Sequence, residues 1–221
     1  MSVRIEGLTV GYGRSAVLQG VDLTIDDGEI VVVAGPSGCG KSTLLRAVAG
    51  LLPITSGRVL VDGEPVRGPS RERALVFQDD GLLPWRTALR NVELPLALRG
   101  VSKVERRALA RSWLDRVGLA AFEKYLPREL SGGMRQRVQL ARTLAQAPKL
   151  VLMDEPFGAL DAQTRAAMQG LVVEVLRETG TTTIFVTHDV DEAVLLGDRA
   201  VVLGAGEVDV EREAILAAVM G

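Results

Sequence analysis

The stretch Gly35-Pro-Ser-Gly-Cys-Gly-Lys-Ser-Thr43 limits this chain more than any other. It follows an apolar run at residues 30–34 and precedes helix-forming residues 44–49, giving the order strand, glycine loop, helix. That order is the context of a phosphate-binding loop. Gly35, Gly38 and Gly40 permit positive φ and turn backbone N–H groups inward, where side chains would block an approaching polyphosphate. With Pro36, Ser37, Cys39 and Thr43 completing the turn, the nonapeptide reads as a nest for an anion. The following helix adds the positive end of its dipole, Lys41 can reach terminal phosphates, and the Ser42 hydroxyl can ligate Mg²⁺. A nucleotide site on an α/β P-loop fold is implied.

The 221 residues, 47% of them hydrophobic, can bury one substantial core and are too few for two full domains of typical size. With 26 basic and 28 acidic side chains, net −2, nothing in the charge points to nucleic acid as a partner. The sole cysteine, Cys39, excludes an intrachain disulfide and fits a reducing compartment. No apolar run approaches the ~18 to 20 residues needed to cross a bilayer, and residues 1–11 lack the shape of a secretion signal, so a cytoplasmic chain is expected.

Residues 3–10 and 21–25 predict a β-rich start. Tyr12, between glycines, is either a turn aromatic or an exposed platform for a purine. Further strands are expected over 57–63 and over 74–77, the latter ending at Gln78. From Leu82 the periodicity turns helical for about sixty residues, which implies an all-helical insertion. Ser102 and Glu105 cap one of its helices, with Val104, Ala108, Leu114 and Val117 expected on one face before Gly118. Ser131 caps another, whose start at Gly132-Gly133 costs about 1 kcal/mol per glycine. That cost suggests close backbone approach to something.

Residues 150–153 read as a parallel strand buried on both faces and ending in Asp154-Glu155. Ligands of open α/β sheets gather at the carboxyl ends of strands, which places this pair beside the phosphate loop. Asp154 can hold Mg²⁺ through its water shell, leaving Glu155 to orient or deprotonate a water. Asp161 is a candidate N-cap for the helix that follows. His188, the only histidine, ends the strand at 183–186, where it can hydrogen-bond a terminal phosphate and the Glu155 carboxylate. A strand at 200–203, a turn at 204–206 and a short helix from Glu211 close the chain.

Together these pieces resemble the nucleotide-binding subunit of an ATP-binding-cassette (ABC) transporter over nearly the whole chain. The family's motifs match the phosphate loop at 35–43, the glutamine loop at Gln78 and the signature Leu130-Ser-Gly-Gly-Met134. They also match the strand carboxylates Asp154 and Glu155, the D-loop Ala159-Leu-Asp161 and the switch histidine His188. The resemblance implies a RecA-like α/β core with an antiparallel β subdomain and a helical subdomain near 86–147, one ABC ATPase domain over 1–221. It implies ATP and Mg²⁺ as cofactors, with Tyr12 stacking on adenine, Gln78 and Ser42 beside Mg²⁺, and Lys41, Gln78, Glu155 and His188 in catalysis.

In that family two copies close head to tail, so that ATP on one phosphate loop meets Ser131, Gly132 and Gly133 of the other, with Asp161 nearby. The implied partners are a second copy, membrane permease subunits and, indirectly, a solute-binding protein, with the chain peripheral on the cytoplasmic face of the membrane. Met134 departs from the glutamine common at its position, and a modest change in affinity is expected. The segments Gly81–Arg86 and 154–161 look most like the nitrate, sulfonate and taurine importer group. A lipid or lipoprotein export motor, or a non-transport ATPase acting on DNA or ribosomes, is the alternative.

Overall fold

A computed structural model describes residues 1–12, 15–77 and 79–204 and resolves into two compact units. Of the described residues, the first comprises those in 1–75, 149–155 and 173–204, and the second those in 76–148 and 156–172.

In the first unit, β1 (Val3–Tyr12), β2 (Ser15–Ile25), β4 (Ser56–Val61) and β5 (Glu64–Pro65) form a sheet in the order β2-β1-β4-β5. It is antiparallel, with Val3 opposite both Ile25 and Val61. Alternation puts Ile5 of β1, Leu23 and Ile25 of β2 and Val59 of β4 into the core while their neighbours meet solvent.

The second sheet of this unit has the order β6-β7-β8-β3-β9. Its strands are β3 (Ile30–Ala34), β6 (Arg73–Val76), β7 (Leu150–Asp154), β8 (Thr182–Val186) and β9 (Arg199–Val202). β7 runs parallel to β8, and β3 parallel to both β8 and β9. Every residue of β3, β7 and β8 is buried. Apart from Thr182, Thr183 and the terminal Asp154 they are apolar, as expected of parallel strands buried on both faces. The register sets Val33 against Val186 and Val186 against Asp154, so three strands end side by side. α1 (Lys41–Ala49) follows β3 and buries Leu44, Leu45 and Val48 in the same core, and α6 (Val190–Leu196) follows β8.

The second unit is helical. α2 (Ala88–Leu98) buries Leu89, Val92 and Leu96, spaced to share one stripe. α3 (Lys103–Arg116) begins at the Ser102 cap, whose Oγ accepts from Glu105 N at 3.3 Å. Its inward face differs from the sequence expectation: Ala110, Leu114 and Val117 are buried, whereas Val104 and Ala108 are exposed. At about 100° per residue, Val104 and Ala108 lie about 80° and 120° around the helix from Leu114. α4 (Gly132–Leu144) buries Val138, Ala141 and Leu144, and α5 (Ala162–Thr179) starts in this unit and ends in the first. Among the described residues no helix is long and apolar enough to cross a membrane. The helix expected from Glu211 lies outside the described residues.

Candidate nucleotide site

Between β3 and α1 the chain turns through Gly35, Gly38 and Gly40 at φ of 151°, 83° and 106°. A Cβ on Gly35 would lie 2.7 Å from the Leu203 carbonyl oxygen, and one on Gly40 2.6 Å from the Leu18 side chain. Packing against backbone as well as conformation thus requires glycine at position 35, whereas at position 40 the positive φ is the stronger demand, since the Leu18 side chain could shift. Gly40 has no side chain with which to cap α1, which leaves the first-turn N–H groups of Lys41, Ser42 and Thr43 without a side-chain cap. Buried Lys41 folds back over the turn, its Nζ donating to Gly35 O at 2.6 Å and Pro36 O at 3.0 Å. An ammonium held over a glycine turn that leads into a helix start without a side-chain cap is a fit for a polyphosphate.

At the neighbouring strand ends the carboxylates come in. The Ser42 hydroxyl donates to Asp154, which gives the two hard oxygen donors that a Mg²⁺ otherwise coordinated by water and phosphate needs. Burial pushes the Asp154 carboxyl above its ordinary range and the Glu155 charge adds to this, against the Ser42 bond and the cations Arg46 and Lys41. The folded chain therefore binds this proton more tightly than the unfolded chain does, and the group's contribution to stability falls as pH rises through the raised value. Removing the charge by Asp154→Asn is expected to raise the thermal midpoint of the nucleotide-free protein by a few degrees at mildly alkaline pH. The gain should vanish in acid, where Asp154 is itself neutral; a midpoint lowered at every pH would contradict the assignment.

Glu155 N donates to Val186 O at 3.0 Å, which pins the end of β7 to β8. Its φ of 46° is a left-handed conformation that costs a non-glycine residue about 1 kcal/mol or more. The turn aims the carboxylate at His188, whose Nδ1 lies 3.1 Å from Glu155 Oε1. Behind His188, buried Thr187 Oγ1 donates to Glu192 Oε2 at 2.7 Å, while Asp189 caps α6 through bonds to Asp191 N and Glu192 N. Thr187 and Glu192 were not among the expected site residues. The Asp189-x-x-Glu192 spacing, a helix-start pattern, was the signal that could have found them.

In the second unit, Ser131 Oγ accepts from Met134 N at 3.2 Å and caps α4. Gly133 packs against its own chain: a Cβ there would stand 3.1 Å from Leu160 Cδ2 and 3.3 Å from Ala159 O. Gln136 Oε1 accepts from Ala159 N at 3.1 Å, fastening the 159–161 turn to α4. Asp161 caps α5 by accepting from Thr164 N at 3.0 Å, a bond that holds its carboxyl below the usual range. Gly132 has only the Ala159 and Arg135 side chains near it, both 3.9 Å from a Cβ, so packing does not account for it.

The first unit thus gathers residues 35–43, Asp154, Glu155 and His188, and the second gathers Ser131, Gly132, Gly133 and Asp161. Gln78 and the Tyr12 side chain lie outside the described residues.

This constellation has clear relatives. A model of the ABC transporter family matches residues 18–158. The chain belongs to the ABC transporter family. It is 51% identical over 204 residues to the taurine import ATP-binding protein TauB of Yersinia pestis, covering 92% of this chain and 80% of that protein. It is 49% identical over 209 residues to the uncharacterized ABC transporter ATP-binding protein MJ0412 of Methanocaldococcus jannaschii, covering 93% and 78%. Among solved structures, the dimeric post-hydrolysis state of the ATP-binding cassette MJ0796 bound to ADP and Pi superposes with a TM-score of 0.85 at 37% identity, covering 93% and 96% of the two chains. The fold is that of an ABC ATPase, a P-loop NTPase, and the chain is an ABC-type ATP hydrolase.

Proposed function

We propose that the chain is the motor subunit of an importer for a small solute of the nitrate, sulfonate or taurine kind, powered by ATP hydrolysis at two sites shared between two copies. The observation that carries the catalytic part is the contact between Glu155 and His188 beside the Ser42–Asp154 pair. Mg²⁺, when bound, neutralises phosphate charge. The protein residues do the rest. Lys41 and the loop amides hold the phosphates, Ser42 and Asp154 hold the ion with Gln78, and Tyr12 stacks on the adenine. Glu155 takes the proton of a water directed at the terminal phosphorus as the bond to the bridging oxygen breaks, with His188 orienting both. Ser131, Gly132 and Gly133 of the second copy present the uncrowded start of α4 to the same phosphate. Closure on binding and opening after hydrolysis supply the stroke.

The transport half of the proposal is supported by the taurine import proteins among the relatives and by one surface. Trp85, 72% exposed, lines an open groove of about 340 Å³ with Arg86, Arg90, Lys103, Arg106 and Glu93. Asn91, fully buried, holds that turn: Nδ2 donates to Leu83, Arg86 and Thr87 carbonyls at 3.3, 3.0 and 3.1 Å, and Oδ1 accepts from Leu83 N at 2.8 Å. An indole held out in water by a buried amide suits docking onto a permease. The test is uptake of labelled taurine, nitrate and an alkanesulfonate by cells with and without the gene. Loss of uptake of one of these is expected, whereas unchanged uptake of all three with impaired lipid export would overturn the importer assignment.

A further inference from the structure

We propose that Gln139 is a positioning residue that fastens the two flanks of the glutamine loop to the signature helix, so that Phe77, residues 79–81 and α4 move as one body. The role follows from a stripe on α4. Arg135, Gln139 and Arg142 are spaced by four and three residues and so share one face. Arg135 Nε donates to Asp80 Oδ2 at 2.7 Å. Gln139 Nε2 donates to Phe77 O at 3.0 Å and Asp79 O at 3.2 Å. Arg142 donates to Gly81 O at 2.9 Å and Asp80 O at 3.3 Å. Phe77 and residues 79–81 belong to no helix or strand, so their carbonyls have no ladder to satisfy them, and α4 supplies the donors.

Gln139 is the member that cannot be replaced by packing. It is fully buried beside Val138, Leu140 and Ala141, where an apolar side chain would cost nothing to desolvate. Both its donor bonds go to the residues on either side of position 78, and its Oε1 has no partner among the described residues. A glutamate there could not donate when ionised, and a methionine could not donate at all. The consequence rests on the role proposed for Gln78 at the ion and terminal phosphate. With its flanks tied to the helix that starts at Ser131, a displacement at position 78 reaches that helix without slack.

The test is a double-mutant cycle on the full chain with Gln139→Met, Gln78→Ala and the pair, together with hydrogen exchange at residues 79–81. Gln139→Met is expected to stay folded, bind ATP within about twofold of the parent and lose about tenfold in kcat. It should also speed exchange at 79–81 by about tenfold. In the Gln78→Ala background the same substitution should change kcat by less than about twofold, because its effect runs through Gln78. An equal fall in both backgrounds, or unchanged exchange, would overturn the proposal. Should Gln78→Ala turn over normally, the fault lies with the role given to Gln78, and the fastening then stands or falls on exchange alone. Gln139→Glu, which keeps the shape and repels the two carbonyls, serves if the methionine variant does not fold.

Discussion

Glu155→Gln is expected to keep MgATP binding and to lose steady-state turnover by about 10²-fold or more. The amide has nearly the shape of the carboxylate, so the left-handed turn at φ 46° and the bond from Glu155 N to Val186 O survive. What is lost is the basic oxygen that His188 Nδ1 meets at 3.1 Å. A group that can no longer accept a proton leaves the water un-activated while the phosphate nest is untouched. With hydrolysis blocked, the closed form should accumulate, and light scattering with MgATP should report a dimer where the parent gives mostly monomer. Phosphate release at the parental rate would remove Glu155 from the chemistry.

Lys41→Ala should abolish tight MgATP binding, with a fall in affinity of about 10²-fold or more. Lys41 is only 6% exposed, and its ammonium is shared by the Gly35 and Pro36 carbonyls at 2.6 and 3.0 Å. Truncation removes a charge-assisted bond to phosphate and at once leaves two loop carbonyls without their donor. Both effects act on the same step, so calorimetry should find weak binding rather than slow turnover. Undiminished affinity would count against the loop as the nucleotide site.

The features legible in the sequence were those written in local pattern. The phosphate loop, the buried runs of β3, β7 and β8, and the caps at Ser102, Ser131 and Asp161 each depend on neighbours a few residues away. β2 was harder. It begins at Ser15, whereas alternation had suggested 21–25, because Gly20 at φ 64° interrupts the pattern that Leu18 opens. Polar residues buried inside helices were not legible at all. Nothing in the neighbouring sequence marks Asn91 or Gln139 as buried, and a carbonyl that Gln139 serves lies 62 residues away. Gly133 shows how one residue can answer two demands. It suits an approach by phosphate, yet Leu160 and Ala159 of its own chain already crowd the space a side chain would take.

A crystal structure of Glu155→Gln loaded with MgATP tests the shared site most directly. It should show each nucleotide held by Lys41 and the loop amides of one copy, with Ser131 Oγ and the first amides of α4 from the other copy at hydrogen-bond distance from its terminal phosphate. Two copies whose Ser131 residues stand away from every phosphate would contradict the account.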